Sequence, residues 1–135
     1  MLVFRTVEDE LEEVDSERRA EIIRGYPLER LIVKTLDAVS EAYENLGLRS
    51  PVFLRVELGD VLGSRLAKAT ASHSKGFDRP LVTTEVLGII QMIKPLGRSL
   101  RPILDSLWRA AGWPDGSPSY GRGEWEGYLN PYPYQ

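Results

Sequence analysis

The chain contains no cysteine and a single histidine, so neither a disulfide framework nor a cluster of thiolate and imidazole metal ligands can be built from it. A thiol nucleophile is excluded as well. His73 lies in a Ser/Lys/Gly loop with no carboxylate placed to orient its ring, so Ser72 and Ser74 beside it make no triad and a solvated loop residue is expected. Asparagine, glutamine and methionine number two each, a depletion of heat-labile types that fits a thermophile. No apolar run approaches the roughly 18 residues of a membrane span. The N-terminus lacks the basic start and apolar middle of a signal peptide. There is no Walker sequence. The glycines from Gly121 to Gly127 follow no strand and open no helix, so they fail the dinucleotide fingerprint. No catalytic residue, metal or cofactor is expected.

What is present is an ordinary globular composition, 42% apolar and 27% charged over 135 residues, enough for one domain with one core. The net charge of −3 conceals an asymmetry. Seven of the ten residues from Glu8 to Glu17 are acidic, whereas Arg18 to Ala111 carries fifteen basic against ten acidic residues. An acidic arm on a mildly basic body permits a polyanion partner without requiring one. The acidic pairs Glu8/Glu12, Asp9/Glu13 and Glu10/Glu13 suit a solvated helix face more than a divalent cation, and a metal-dependent enzyme is the least supported class.

Apolar periodicity predicts an all-α protein: a bundle of about five helices, with an N-terminal helical arm at 1–25, the bundle proper at 26–111 and an extended tail at 112–135. After the arm, a helix is expected from Pro27 to Leu46, with Leu28, Leu31, Ile32, Thr35, Leu36, Val39, Ala42 and Tyr43 on one face. The next segment is ambiguous, because Val52, Leu54, Val56 and Leu58 alternate like a strand. A helix from Pro51 to about Ala71 is favoured because Gly59, Gly63, Ala67 and Ala71 recur every four residues, a ridge on which another backbone could pack closely. Further helices are expected over Leu81–Ile93, with Val82, Val86, Ile89, Ile90 and Ile93 inward, and over Ser99–Ala111, with Ile103, Leu104, Leu107 and Trp108 inward.

The tail holds seven of the twelve aromatic residues from Trp108 onward, while nine of the 24 residues from Gly112 are Gly or Pro. It has neither period and cannot fold a core of its own. Each large ring brings roughly 150–250 Å² of surface that gains by leaving water. Two readings follow: the tail folds back over its own helices, or a neighbouring subunit covers it. The second makes Trp113, Tyr120, Trp125, Tyr128, Tyr132 and Tyr134, with the ridge residues Gly59, Gly63 and Ala67, the expected subunit interface.

Basic side chains are spread over several predicted helices. Arg18, Arg19, Arg24, Arg30 and Lys34 flank Pro27. Arg55, Arg65 and Lys68 lie on the next element, and Lys94, Arg98 and Arg101 precede or open the last. Without an aromatic platform among them they suit phosphate contacts better than base readout.

From Leu36 to Gly121 the layout resembles the α-helical major capsid proteins of filamentous viruses of hyperthermophilic archaea. The resemblance is carried by VSEAYENLGLRSP, LGDVLGSRLAKA, VTTEVLGIIQMI and RPILDSLWRAAG leading to GSPSYG. It implies a structural coat subunit in a virion assembled in the host cytoplasm. Such subunits dimerise, as copies or with a paralogous capsid protein, and stack around linear double-stranded DNA held in A form, in some members beneath a lipid envelope. The basic residues above would then meet phosphates. The acidic stretch Glu8–Glu17 departs from the pattern, since a DNA-facing arm should be basic. The alternative is a small helical adaptor or regulatory subunit of a thermophile complex. Deleting residues 113–135 should leave an adaptor monomeric but deprive a coat subunit of lateral assembly.

Overall fold

The computed structural model describes residues 11–12, 22–49, 51–68, 76–89 and 96–126. Strand β1 (Leu11–Glu12) pairs antiparallel with β2 (Ile22–Arg24), which leads directly into helix α1 (Gly25–Asn45). Then come β3 (Val52–Leu54), β4 (Glu57–Gly59), β5 (Arg65–Ala67), β6 (Leu81–Thr83), β7 (Leu87–Ile89) and helix α2 (Arg101–Ala110), with a 3-10 turn at Pro118–Tyr120. The described residues are therefore mixed α/β with two α-helices, and the expectation of an all-α bundle of about five helices is wrong. No described helix is long and apolar enough to cross a membrane.

The two helices that form are those whose apolar residues have an unambiguous helical step. In α2, Ile103, Leu104, Leu107 and Trp108 are all buried, as their spacing predicts. Helix α1 forms close to the predicted span, but its buried face is turned. Tyr26, Leu28, Glu29, Val33, Leu36 and Ser40 point inward, whereas Ile32 and Val39 are only partly covered and Ala42 is exposed. Gly25 opens this helix, and residues 22–24 before it are strand β2, where the helical arm is expected.

Where a helix is expected over 51–71, the described residues 51–68 form a run of strands. Val52, Leu54, Val56 and Leu58 face inward while Phe53, Arg55, Glu57 and Gly59 are exposed, the period of two that marks a half-buried strand. The four-residue spacing of Gly59, Gly63 and Ala67 carried no weight in favour of a helix, because four is also an even number and keeps one face of a strand. Gly63, at φ 78°, sits in a turn that a side chain would strain, so the small-residue ridge does not exist as a helix stripe.

The predicted Leu81–Ile93 helix fails for a related reason. Residues 52–59 form an antiparallel ribbon with 81–89, in which Val52 pairs with Ile89 and Leu54 with Leu87, but Glu57 pairs with Thr83 and Gly59 with Leu81. Arg55 and Val56 therefore oppose three residues, Thr84 to Val86, which is a β-bulge. Thr84 closes it: its amide donates to the Val56 carbonyl, and its Oγ1 accepts from the Val56 amide at 3.0 Å. The extra residue shifts the inward set from Val82 and Thr84 to Leu87 and Ile89, and that offset imitates a helical spacing. Val86, predicted inward, points out.

Strand β2 also pairs in parallel with β5, placing Ile23 beside Leu66 in the core. Behind them Gly25 lies against α2: a Cβ there would come within 2.2 Å of the Trp108 ring, which is itself 1% exposed and has no room to retreat. Gly25→Ala is expected to destabilise the chain by about 3 kcal/mol through overpacking. An unchanged midpoint in urea denaturation would contradict that packing.

Candidate functional site

Two places combine chemistry-bearing side chains, one inside and one outside. The inner one is built on Glu29, a carboxylate 1% exposed on the buried face of α1. Trp108 Nε1 on α2 donates to its Oε1 at 2.6 Å, and Trp125 Nε1 donates to Oε2 at 2.7 Å. The Ser117 hydroxyl also donates to Oε1, and the Ser117 Oγ in turn accepts from the Ser119 amide at 3.2 Å. Two indoles have one donor each and no acceptor, so their burial requires an oxygen of this kind.

Around this carboxylate the described part of the aromatic tail, residues 112–126, folds back on its own chain. Trp125 stacks on Tyr26 with centroids 5.8 Å apart, and Trp113 meets Trp108 edge-on at 6.0 Å. The Trp113 indole donates to the Leu66 carbonyl at 2.7 Å, and Lys68 Nζ lies 4.2 Å above its ring. Tyr120 donates its hydroxyl proton to the Gly97 carbonyl. Asp105 receives the Ser117 amide at 2.8 Å and faces Arg101 at 3.5 Å. Tyr120 and Trp125 are thus buried within this chain and Trp113 is half-buried, so these three rings do not await a neighbour. Tyr128, Tyr132 and Tyr134 lie outside the described residues.

Burial pushes the Glu29 carboxyl above its ordinary value, and the hydrogen bonds from Ser117, Ser119, Trp125 and Trp108 pull it part of the way back. With the folded-state value above the unfolded one, the folded chain holds this proton more tightly. Glu29's contribution is therefore complete below the ordinary carboxylate range and is lost as pH rises through the raised folded value. Glu29→Gln cannot titrate. Urea midpoints measured from acid to neutral pH should fall more for the parent chain than for this variant. Parallel profiles would show that Glu29 keeps its ordinary pKa.

The outer place is the solvent face of the ribbon. Phe53 is 71% exposed, Val86 60% and Leu81 54%. Phe53 pairs across the ribbon with Gly88, and Leu81 with Gly59. Between these apolar ends lie Arg55 and Glu57, joined at 2.9 Å. Sequence reasoning misses this face because the small-residue spacing places Val52 and its alternating neighbours on a helix. The alternation of Val52, Leu54, Val56 and Leu58 with Phe53, Arg55, Glu57 and Gly59 is the available signal.

The structure disperses the basic residues expected to meet phosphate. Arg24 and Arg65 lie on the exposed side of the β2–β5 pair, and Arg30 and Lys34 one turn apart on the exposed side of α1. Arg55 is paired with Glu57, Arg101 with Asp105, and Lys68 covers an indole. Arg98 is exposed in the turn before α2. Arg18, Arg19 and Lys94 lie outside the described residues, as does His73. Among the described residues no group of three His, Asp or Glu side chains is placed to hold a metal ion.

Compared with protein-family models, curated proteins and solved structures, the chain matches none of them.

Proposed function

We propose that this chain is an interaction subunit that docks on another protein chain through the solvent face of its β-ribbon. The observation that carries the reading is the placement of Phe53, Val86 and Leu81, three large apolar side chains turned outward on one face while the opposite face of the same ribbon fills the core. Large apolar side chains turned outward at both ends of one face, with an ion pair between them, form a surface that a partner can cover. An aromatic ring seated beside glycine, with charges at its rim, has the make-up of an interface anchor.

The adaptor expectation is one form of this proposal. The coat-subunit expectation is another, in which the partner is a copy or close relative and the assembly encloses double-stranded DNA. The helical layout that suggested the second form is changed, since LGDVLGSRLAKA and the start of VTTEVLGIIQMI contain strands β4 to β7. A photo-crosslinking residue at position 53, introduced in the cells that make the protein, tests the proposal. Crosslinks from position 53 but not from exposed Arg98 support it, and their mass separates a second copy from another protein. Absence of crosslinks from position 53 contradicts it.

A further inference from the structure

Resting on that reading, we infer that the partner is a second copy of this chain, joined edge to edge along residues 53–59 in an antiparallel pair centred on Val56. Val56 turns both its amide and its carbonyl toward Thr84, inside the ribbon. Backbone groups alternate along a strand, so those of Phe53, Arg55 and Glu57 point to the opposite edge. Among the described residues no strand pairs with that edge.

A free edge is a template for another strand, and proteins that must stay single often place charged side chains, above all lysine, or proline there. This edge also carries charge, but in a pattern that complements itself. Its two charges are of opposite sign, two residues apart, and symmetric about Val56. Under a two-fold axis through Val56, Arg55 of each copy stands across from the other copy's Glu57, so both pairs are matched at once. The same register sets each Phe53 opposite Gly59 of the other copy. Phe53 already lies over a glycine within its own ribbon, where the space above Gly88 is occupied by its ring at van der Waals distance. A second glycine on its other side leaves room for the ring, and Leu81, paired with Gly59, lies just beyond it. A shift of two residues in either direction would oppose like charges or leave the ring without its glycine. Strand pairing of an isologous kind has this symmetry, with one patch serving both subunits.

Sedimentation equilibrium of the full chain, over a wide concentration range, tests the inference with Arg55→Glu, Glu57→Arg and the double exchange. Both side chains are about half exposed, so the variants should keep the parent circular dichroism. The parent should dimerise, either single variant should weaken dimerisation roughly 10–100-fold by setting like charges across the edge, and the double exchange should restore it. A dimer indifferent to the single changes, or not recovered by the double, overturns the register. A parent that stays monomeric overturns self-pairing. If position 53 nevertheless crosslinks to a different protein, the interaction proposal stands alone, and if it crosslinks to nothing, both fall.

Discussion

Glu29→Ala is expected to remove about 4 kcal/mol of stability, because the indoles of Trp108 and Trp125 lose their acceptor at roughly 1–3 kcal/mol for each orphaned buried donor. The serines can turn their hydroxyls elsewhere; the indoles cannot. A single domain holds only about 5–15 kcal/mol in total, so the variant should lose a large share of its resistance to urea. Trp108 and Trp125 fluorescence should shift to longer wavelength before global unfolding, as the C-terminal segment detaches first. A variant with the parent midpoint would mean that the carboxylate is bystander rather than anchor.

Deleting residues 113–135 is expected to have a still larger effect. It removes Trp125 and Tyr120 from the core, uncovers Trp108, and takes Ser117, Ser119 and one indole from Glu29. Loss of a buried large aromatic side chain costs about 3–5 kcal/mol, and two or three together are as large as the whole stability of a single domain, about 5–15 kcal/mol. The truncated chain should be unfolded by circular dichroism and by amide chemical-shift dispersion. This changes the meaning of the experiment: a deletion read from sequence as a way to separate adaptor from coat subunit would destroy either one. A folded, monomeric truncation would return the tail to its role as an exchanged arm.

What could be read in the chain, and what could not, divides along physical lines. Helix α2 was legible because Ile103, Leu104, Leu107 and Trp108 admit only a helical step. Helix α1 was legible in extent but not in orientation, since its buried face is centred on Glu29, a residue type that ordinarily faces water. The ribbon was obscured twice. Small residues four apart satisfy a strand as well as a helix, and the bulge at Thr84 broke the alternation that would have revealed β6 and β7. The aromatic surplus of the tail needs cover, and for Tyr120 and Trp125 that cover is this chain's own fold; the link that joins α1 and α2 to Trp125 is a buried acid that no hydrophobic pattern displays. The outward Phe53 gained its significance only once the inward positions around it were occupied.

The most direct measurement of the account as a whole is hydrogen exchange followed by NMR at low and high protein concentration. The indole Nε1 protons of Trp108 and Trp125 should be protected at both concentrations, held by Glu29 within the single chain. The edge amides of Phe53, Arg55 and Glu57 should exchange freely when dilute and become protected when concentrated. Indole protons that exchange rapidly in dilute solution, or edge amides that ignore concentration, would contradict a chain that seats Trp125 on its own Glu29 and keeps its ribbon for a partner.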